Sequence, residues 1–439
     1  MSGLTPHMKP RRAPARRGVA TLVVVMVLFF ILALTAAYTN RNLIFEQKTS
    51  SNQYRSTQAF EAAEAGLEWA LAQLNGGLVN SSCQPDNTNG RSFRDRYLGM
   101  FGSSPTILAD GTIVPRIRSN GAALLPACAF DGSNWRCNCP DDAPGLPAFN
   151  GSDTGVMFRV QFKRPDINPD QQRPAVIEIV SRGFTRCGAN CFATTPQAPP
   201  GEAMAAVSAL VALRSGLATP PGAALTVQGN FVVTGGASAT VINTDPVTNG
   251  VTIMAGGSLP PGLTLQSLPG TPGDRSVVAA DASLAALGDD ERMFTSVFGA
   301  GSALWRRQPA AVTVTCTAPC NAATVQAQAA LYPGSVLWIE GDLLLDGALG
   351  SDASPVVMVV NGRARLVDGG VLRGLIYGRA EPWNIDAGAA QVRGALVAQG
   401  ALTSGGNQTF IYDAGILDLL RTRYGSFVRV PGGWQDFRQ

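Results

Sequence analysis

The sequence predicts an α+β protein: a long N-terminal helix packed on a small antiparallel sheet, followed by a mainly-β parallel β-helix domain. Three observations carry that expectation. Residues 19–38, VATLVVVMVLFFILALTAAY, contain no charge and lead into a helical periodicity. Between residues 112 and 214 apolar and polar residues alternate in short runs. Beyond residue 225 short apolar runs end repeatedly in glycine. At 439 residues the chain has room for two or three domains.

Composition narrows the function classes. Charged residues are only 15% against 45% hydrophobic, and 49 Gly with 29 Pro mark a turn-rich but ordered chain. The net charge of +3 is local: Lys9, Arg11, Arg12, Arg16 and Arg17 precede residue 19 with no acid among them. The remainder carries 29 positive against 31 negative residues, which argues against a nucleic-acid partner. The single histidine, His7, lies in the basic leader. Ser-His-Asp and Cys-His catalysis and histidine-bearing metal sites are therefore excluded for the rest of the chain. Phosphate-loop, dinucleotide-fold and nucleophile-elbow motifs do not occur. The reading is a structural or binding protein, not an enzyme, with no cofactor.

Residues 1–18 form a basic leader ending in Arg16-Arg17-Gly18. At 1.5 Å per residue, the apolar run 19–38 spans roughly 30 Å, a bilayer core. The positive cluster places the leader in the cytoplasm and the body outside. The run is long for a secretory signal, and no clear small-x-small cleavage site follows; a plain type II anchor is the simpler alternative. Residues 41–75 continue the helix. Phe60, Ala63, Leu67, Leu71 and Leu74 share one face, with Glu61, Glu64 and Glu68 beside or opposite it as a solvated face or an inter-subunit pairing surface. Gly76-Gly77 ends it.

A basic leader ending in glycine, with the apolar helix starting at the next residue, resembles a type IV prepilin. RRGVATLVVVMVLFFILALTAAY, with AFEAAEAGLEWAL at 59–71, is similar to the PilX-type minor pilins. The resemblance implies cleavage between Gly18 and Val19 by prepilin peptidase and N-methylation of Val19. It implies passage through the inner membrane with the body in the periplasm, then residence in a surface fibre. The fifth mature residue is Val23, where most pilins carry glutamate. That departure suits a subunit at or near the tip. The implied partners are other minor pilins, the pilus assembly platform and a tip adhesin. A type II secretion pseudopilin shares the anchor logic and is the alternative.

Residues 76–215 read as a pilin-like α/β head. The strand-like runs are 112–118, 155–163, 175–182 and 203–214, the last alanine-rich enough to be helical instead. Eight cysteines lie on the exported side: Cys83, Cys128, Cys137, Cys139, Cys187, Cys191, Cys316 and Cys320. An even count in an oxidising compartment reads as disulfides rather than zinc. Cys187/Cys191 and Cys316/Cys320 are each positioned to close their own loop, leaving the other four to pair among themselves in an order the sequence leaves open. Asp166, Asn168 and Asp170 have the oxygen spacing of a calcium loop. The glycine and glutamate such a loop needs are replaced by Gln171 and Ile177, so a solvated turn is expected.

Residues 216–224 read as a Pro/Gly linker. Residues 225–415 read as a β-solenoid: Gly341, Gly362, Gly378 and Gly400 stand 21, 16 and 22 residues apart. A β-sandwich of the same strands is the alternative. An insertion at 259–333 contains a helix over 282–298, with Asp281 as its cap and Asp289-Asp290-Glu291 as a solvated turn. Residues 416–439 form a capping helix and tail. This half resembles the β-helical domain of some long PilX-like proteins, through D-x-x-L…F-x-x-x-F-G at 281–299 and the P-G-x-W-x-D-F ending. The solenoid is expected to present a surface for adhesion or partner binding. A membrane-anchored carbohydrate-binding or -active β-helix would draw on Asp342, Asp346, Asp368, Glu381 and Asp386. These fall mainly at turns rather than on one strand face.

Overall fold

A computed structural model describes residues 18–101, 106–108, 111–141, 155–165, 174–187, 191–193, 195–287, 290–380, 382–385 and 388–436. The chain divides into two compact units, Met1–Thr57 and Gln58–Gln439. One helix, Gly18–Leu74, contributes to both. It contains no proline, so no backbone donor is lost along it.

In the second unit the helix lies on a six-stranded antiparallel sheet. The strand order is Gly425–Gln435, Met204–Ser215, Val176–Phe184, Met157–Lys163, Ala127–Phe130, Trp135–Asn138. The buried helix face is a stripe of small residues, Ala59, Ala62, Ala63 and Ala70, with Leu67 and Leu74. Phe60 and Leu71 only flank it. The expected face is therefore rotated toward the alanines, because helix and sheet approach too closely for larger groups. A Cβ on Gly66 would stand 2.4 Å from Ser181 Oγ, and one on Gly183 would stand 2.0 Å from Ala59 O. Trp69 closes the side against Phe93 and Phe158 at 5.5 Å. The helix end is held by side chains. Asn75 Nδ2 donates to Leu71 O and Phe427 O, Phe427 N donates to Asn75 Oδ1, and Arg94 Nε donates to Leu74 O.

Two sequence expectations change here. Residues 112–118 form no sheet strand: Ile113 and Ile117 make isolated bridges to Ile107 and Ala123. Pro115 interrupts the run and cannot donate to a ladder. Its place is taken by the hairpin Ala127–Phe130/Trp135–Asn138, turned at Asp131-Gly132, where Asp131 Oδ1 accepts from Ser133 N and Asn134 N. The C-terminal segment is not a free tail: Gly425–Gln435 is the edge strand paired with Met204–Ser215.

Apart from the short antiparallel pair Leu78–Val79 and Arg91–Ser92, the remaining strands run parallel, in three ladders. The first joins Ala311–Thr315, Val336–Glu340, Val356–Val360, the later parts of Val371–Gly378 and Gln391–Ala398, then Leu225–Val227, Ile253–Ala255 and Val277–Val278. The second joins Cys320–Asn321, Leu343–Leu345, Ala364–Leu366, Trp383–Ile385, Leu402–Ser404 and Phe231–Val233. The third joins Ala348–Leu349, the earlier parts of Val371–Gly378 and Gln391–Ala398, then Thr409–Tyr412, Thr240–Ile242 and Thr264–Gln266. The spatial order is not the sequence order. Leu225 pairs with Leu396, Phe231 with Leu402 and Thr240 with Thr409, so the first strands laid down stack on the last.

The bend between the third and first ladders falls on glycine. Gly374 and Gly394 are register partners with φ of 154° and 129°. A Cβ on Gly374 would lie 1.8 Å from Val356 O, and one on Gly394 would lie 2.0 Å from Gly374 O. The expected helix over 282–298 divides into Ala282–Ala285 and Asp290–Phe298. Asp281 caps the first, accepting from Ser283 N at 2.9 Å and Leu284 N at 3.3 Å. Helix Ala414–Arg423 buries Ile416, Leu417 and Leu420 beside the first ladder instead of closing a ladder end. The segment 216–224 is no exposed tether, since Leu217, Ala223 and Ala224 are buried and Gly216 N donates to Tyr424 O.

Four disulfides join Cys83–Cys139, Cys128–Cys137, Cys187–Cys191 and Cys316–Cys320. Cys128 and Cys137 are direct cross-strand partners. Two outcomes follow from this architecture. Gly394→Ala should destabilise the second unit by about 1–3 kcal/mol, read as a lowered melting temperature, because its methyl meets backbone with no room to move. Breaking Cys83–Cys139, whose residues lie 56 apart, should cost about 4 kcal/mol against about 2 for Cys316–Cys320, 4 apart, in paired Cys→Ser variants compared by thermal melting.

Candidate functional site

The chemistry-bearing feature of this chain is an apolar helix rather than a cleft of reactive groups. Gly18 is the first helical residue, and the leader 1–17 lies outside the described residues. From Leu22 to Leu34 every large apolar side chain is at least half exposed, Val23 among them at 53%. The stretch is long and apolar enough to cross a membrane, with a mean hydropathy of 2.8 in its most apolar window. It needs a low-dielectric surrounding, a bilayer or other apolar helices, because water would meet a continuous hydrocarbon surface.

Its polar atoms suit such a setting. Thr35 Oγ1 donates to Ile31 O at 2.9 Å and Thr39 Oγ1 to Thr35 O at 2.7 Å, so these hydroxyls are satisfied within the helix. The first charge is Arg41 and the first acid is Glu46. With valine at position 23, no carboxylate sits in the apolar half. In the second unit Glu61 and Glu64 are exposed and Glu68 pairs with Arg429. These three glutamates line a shallow groove with Leu67 and Trp434.

Among the described residues, the carboxylates that could serve polysaccharide chemistry are each bound to backbone. Asp342 Oδ1 accepts from Arg363 N at 2.8 Å, Asp346 Oδ1 from Ala322 N at 3.0 Å and Asp368 Oδ1 from Ala389 N at 2.7 Å. Each is bound to the backbone of a neighbouring ladder level. Glu381, Asp386 and the Asp166-Asn168-Asp170 triplet lie outside the described residues. Among the described residues no three His, Cys, Asp or Glu side chains gather as a metal would require. Glu291 is not simply solvated: it accepts from Ser302 N at 2.6 Å and from Ser302 Oγ, which with Arg379 holds its carboxyl below the usual range.

Sequence reasoning missed a set of buried arginines. Arg94 and Arg159 are nearly inaccessible, and burial pushes their guanidinium values down to about 9 and about 10. Arg96 donates to Cys139 O and Val79 O and pairs with Asp141 at 3.0 Å. A hint was available in the arginine-rich, lysine-poor composition, since a planar guanidinium is the cation that tolerates burial.

Residues 17–68 match the family model described as PilX N-terminal. No curated protein matches the chain. Among solved structures, the competence-associated pilin ComZ from Thermus thermophilus aligns over 87% of this chain and 97% of its own at 14% identity, but with a TM-score of 0.22 the two superpose only loosely. The matched segment coincides with the exposed apolar helix and its entry into the second unit. Over residues 17–68, therefore, this chain is similar to the N-terminal segment of PilX-type proteins.

Proposed function

We propose that this chain is a minor pilin of a type IV pilus, processed between Gly18 and Val19, anchored by residues 19–38 in the inner membrane with its body in the periplasm, and built into the fibre at or near its tip. The observation that carries the reading is the PilX-type helix that is apolar, proline-free and exposed from its first turn, joined to a disulfide-bearing head. The lack of a carboxylate at residue 23 favours a terminal position. A shaft subunit in the apolar core would need a partner for the next subunit's buried N-terminal amine. There it primes polymerisation with other minor pilins on the assembly platform. The parallel body is a β-solenoid of three-strand rungs, and it presents the adhesive or partner-binding surface. Its role is non-catalytic: Asp342, Asp346 and Asp368 are each committed to a backbone N–H.

N-terminal sequencing and intact mass of the membrane-extracted chain should give N-methylated Val19 as the first residue. A retained leader, or cleavage after Ala36 or Ala37, overturns the pilin assignment. Deleting the gene should lower the number of surface pili and twitching motility. Unchanged piliation and motility would exclude the priming role and leave only presentation.

A further inference from the structure

The outer face of the head sheet holds an arginine that the fold does not explain. Arg159, in the strand Met157–Lys163, is 2% exposed. Its Nη1 donates to Ala193 O at 3.1 Å, while Nε is buried without a partner. The unused edge, Nε with Nη2, is the side of a guanidinium that grips an oxyanion through two parallel hydrogen bonds. A cleft of about 330 Å³ opens on this side chain, lined also by Ile117, Arg118, Leu125, Gln161 and Phe192.

The neighbouring strand sharpens the anomaly. Arg159 stands directly opposite Arg182, and its other cross-strand partner is Ala127. Like charges facing each other across a ladder are destabilising, and burial makes this pair worse. Neither arginine forms an ion pair among the described residues. Glu178, on the same strand as Arg182, faces Lys163 instead. Both guanidinium values are pushed down by burial, Arg159's to about 10 with Arg182 contributing. Among the described residues nothing neutralises this pair, and an unpaired buried cation is costly.

We propose that this cleft is an oxyanion-binding site: it takes a small ligand by a carboxylate or phosphate group seated on the Nε/Nη2 edge of Arg159, with Arg118 on the cleft wall and Arg182 across the ladder adding positive charge. Ile117, Leu125 and Phe192 give the rim an apolar character, so the ligand carries its charge at one end. Gln161, two residues along on the same face, adds an amide to orient it.

The test is isothermal titration calorimetry on the detergent-solubilised full chain at fixed ionic strength, with inorganic phosphate and succinate as probes. At least one probe should bind, and Arg159→Met should weaken it by about ten-fold or more. Binding of phosphate alone assigns a phosphate ligand, and binding of succinate alone a carboxylate. Arg159→Lys, which keeps the charge and loses the fork, should also weaken binding and covers the case that the methionine variant fails to fold. Absence of heat with both probes, or affinity unchanged in a folded Arg159 variant, overturns the site.

Discussion

The first parallel ladder is buried on both faces, and the rest of the second unit depends on that. Leu337, Met358, Ile376, Leu396, Leu225 and Ile253 stack in register toward the interior of the three ladders. Trp338, Val359, Tyr377 and Val397 stack on the opposite side. That outer row is covered by Phe294, which lies 5.7 Å from Trp338 and 5.4 Å from Tyr377. The same core continues into the head through Leu420, Phe427, Leu213 and Phe158. A parallel sheet tolerates no open face, and head and ladders pack within one compact unit. The strand Gly425–Gln435 and the Asn75–Phe427 hydrogen bonds fasten the last residues of the chain to the end of its N-terminal helix.

The discontinuous ladder order adds a kinetic constraint. Leu225–Val227 is made early but has its partner on one side only when residues 391–398 arrive. Until then its edge is open, which is the condition that invites wrong pairing. Contacts separated by that much chain close slowly. Cys316–Cys320 and Cys128–Cys137 act locally and do not bridge this gap, whereas Cys83–Cys139 ties the polar segment after the helix to the sheet.

How much of this was legible in the sequence depended on whether the signal was local. The long helix was plain from a charge-free run without proline. Parallel ladders were foreshadowed by VVMVV and VLWIE, runs too uniformly apolar for a sheet with one wet face. The helix face was misplaced because periodicity weighs Phe60 and Leu71 above alanine, while the contact is set by how closely Gly66 and Gly183 let backbones approach. The hairpin at Asp131-Gly132 carried its turn signal in the open, yet the flanking ACAF and WRCN are short and the Pro115 run looked stronger. The C-terminal edge strand was hidden by Pro431 and two glycines, which are admissible because that edge needs few donors. Pairing of Leu225 with Leu396 left no local trace at all. For the candidate site, the apolar helix was fully visible, while Arg159 was invisible: only the fold sets it opposite Arg182.

The polar residues at the ladder turns tie neighbouring levels together. Asp342 and Asp368 each reach 21 residues ahead to a backbone N–H on the next level. Gln228 Oε1 accepts from Gly400 N, and Gln408 bridges Ala390 N and Gly388 O. Asn230 and Asn407 accept from Ser258 N and Ser238 N in the same way. These side chains supply hydrogen bonds to turn backbone, buried for Gln228 and Gln408 and exposed for Asp342, Asp368, Asn230 and Asn407. A glycosidase requires two carboxylates facing one bond across a few ångströms. Among the described residues, Asp342, Asp346 and Asp368 act instead as struts between levels. Along the second ladder Leu344 neighbours Arg365, and separately Asn384, Thr403 and Val232 stand in register.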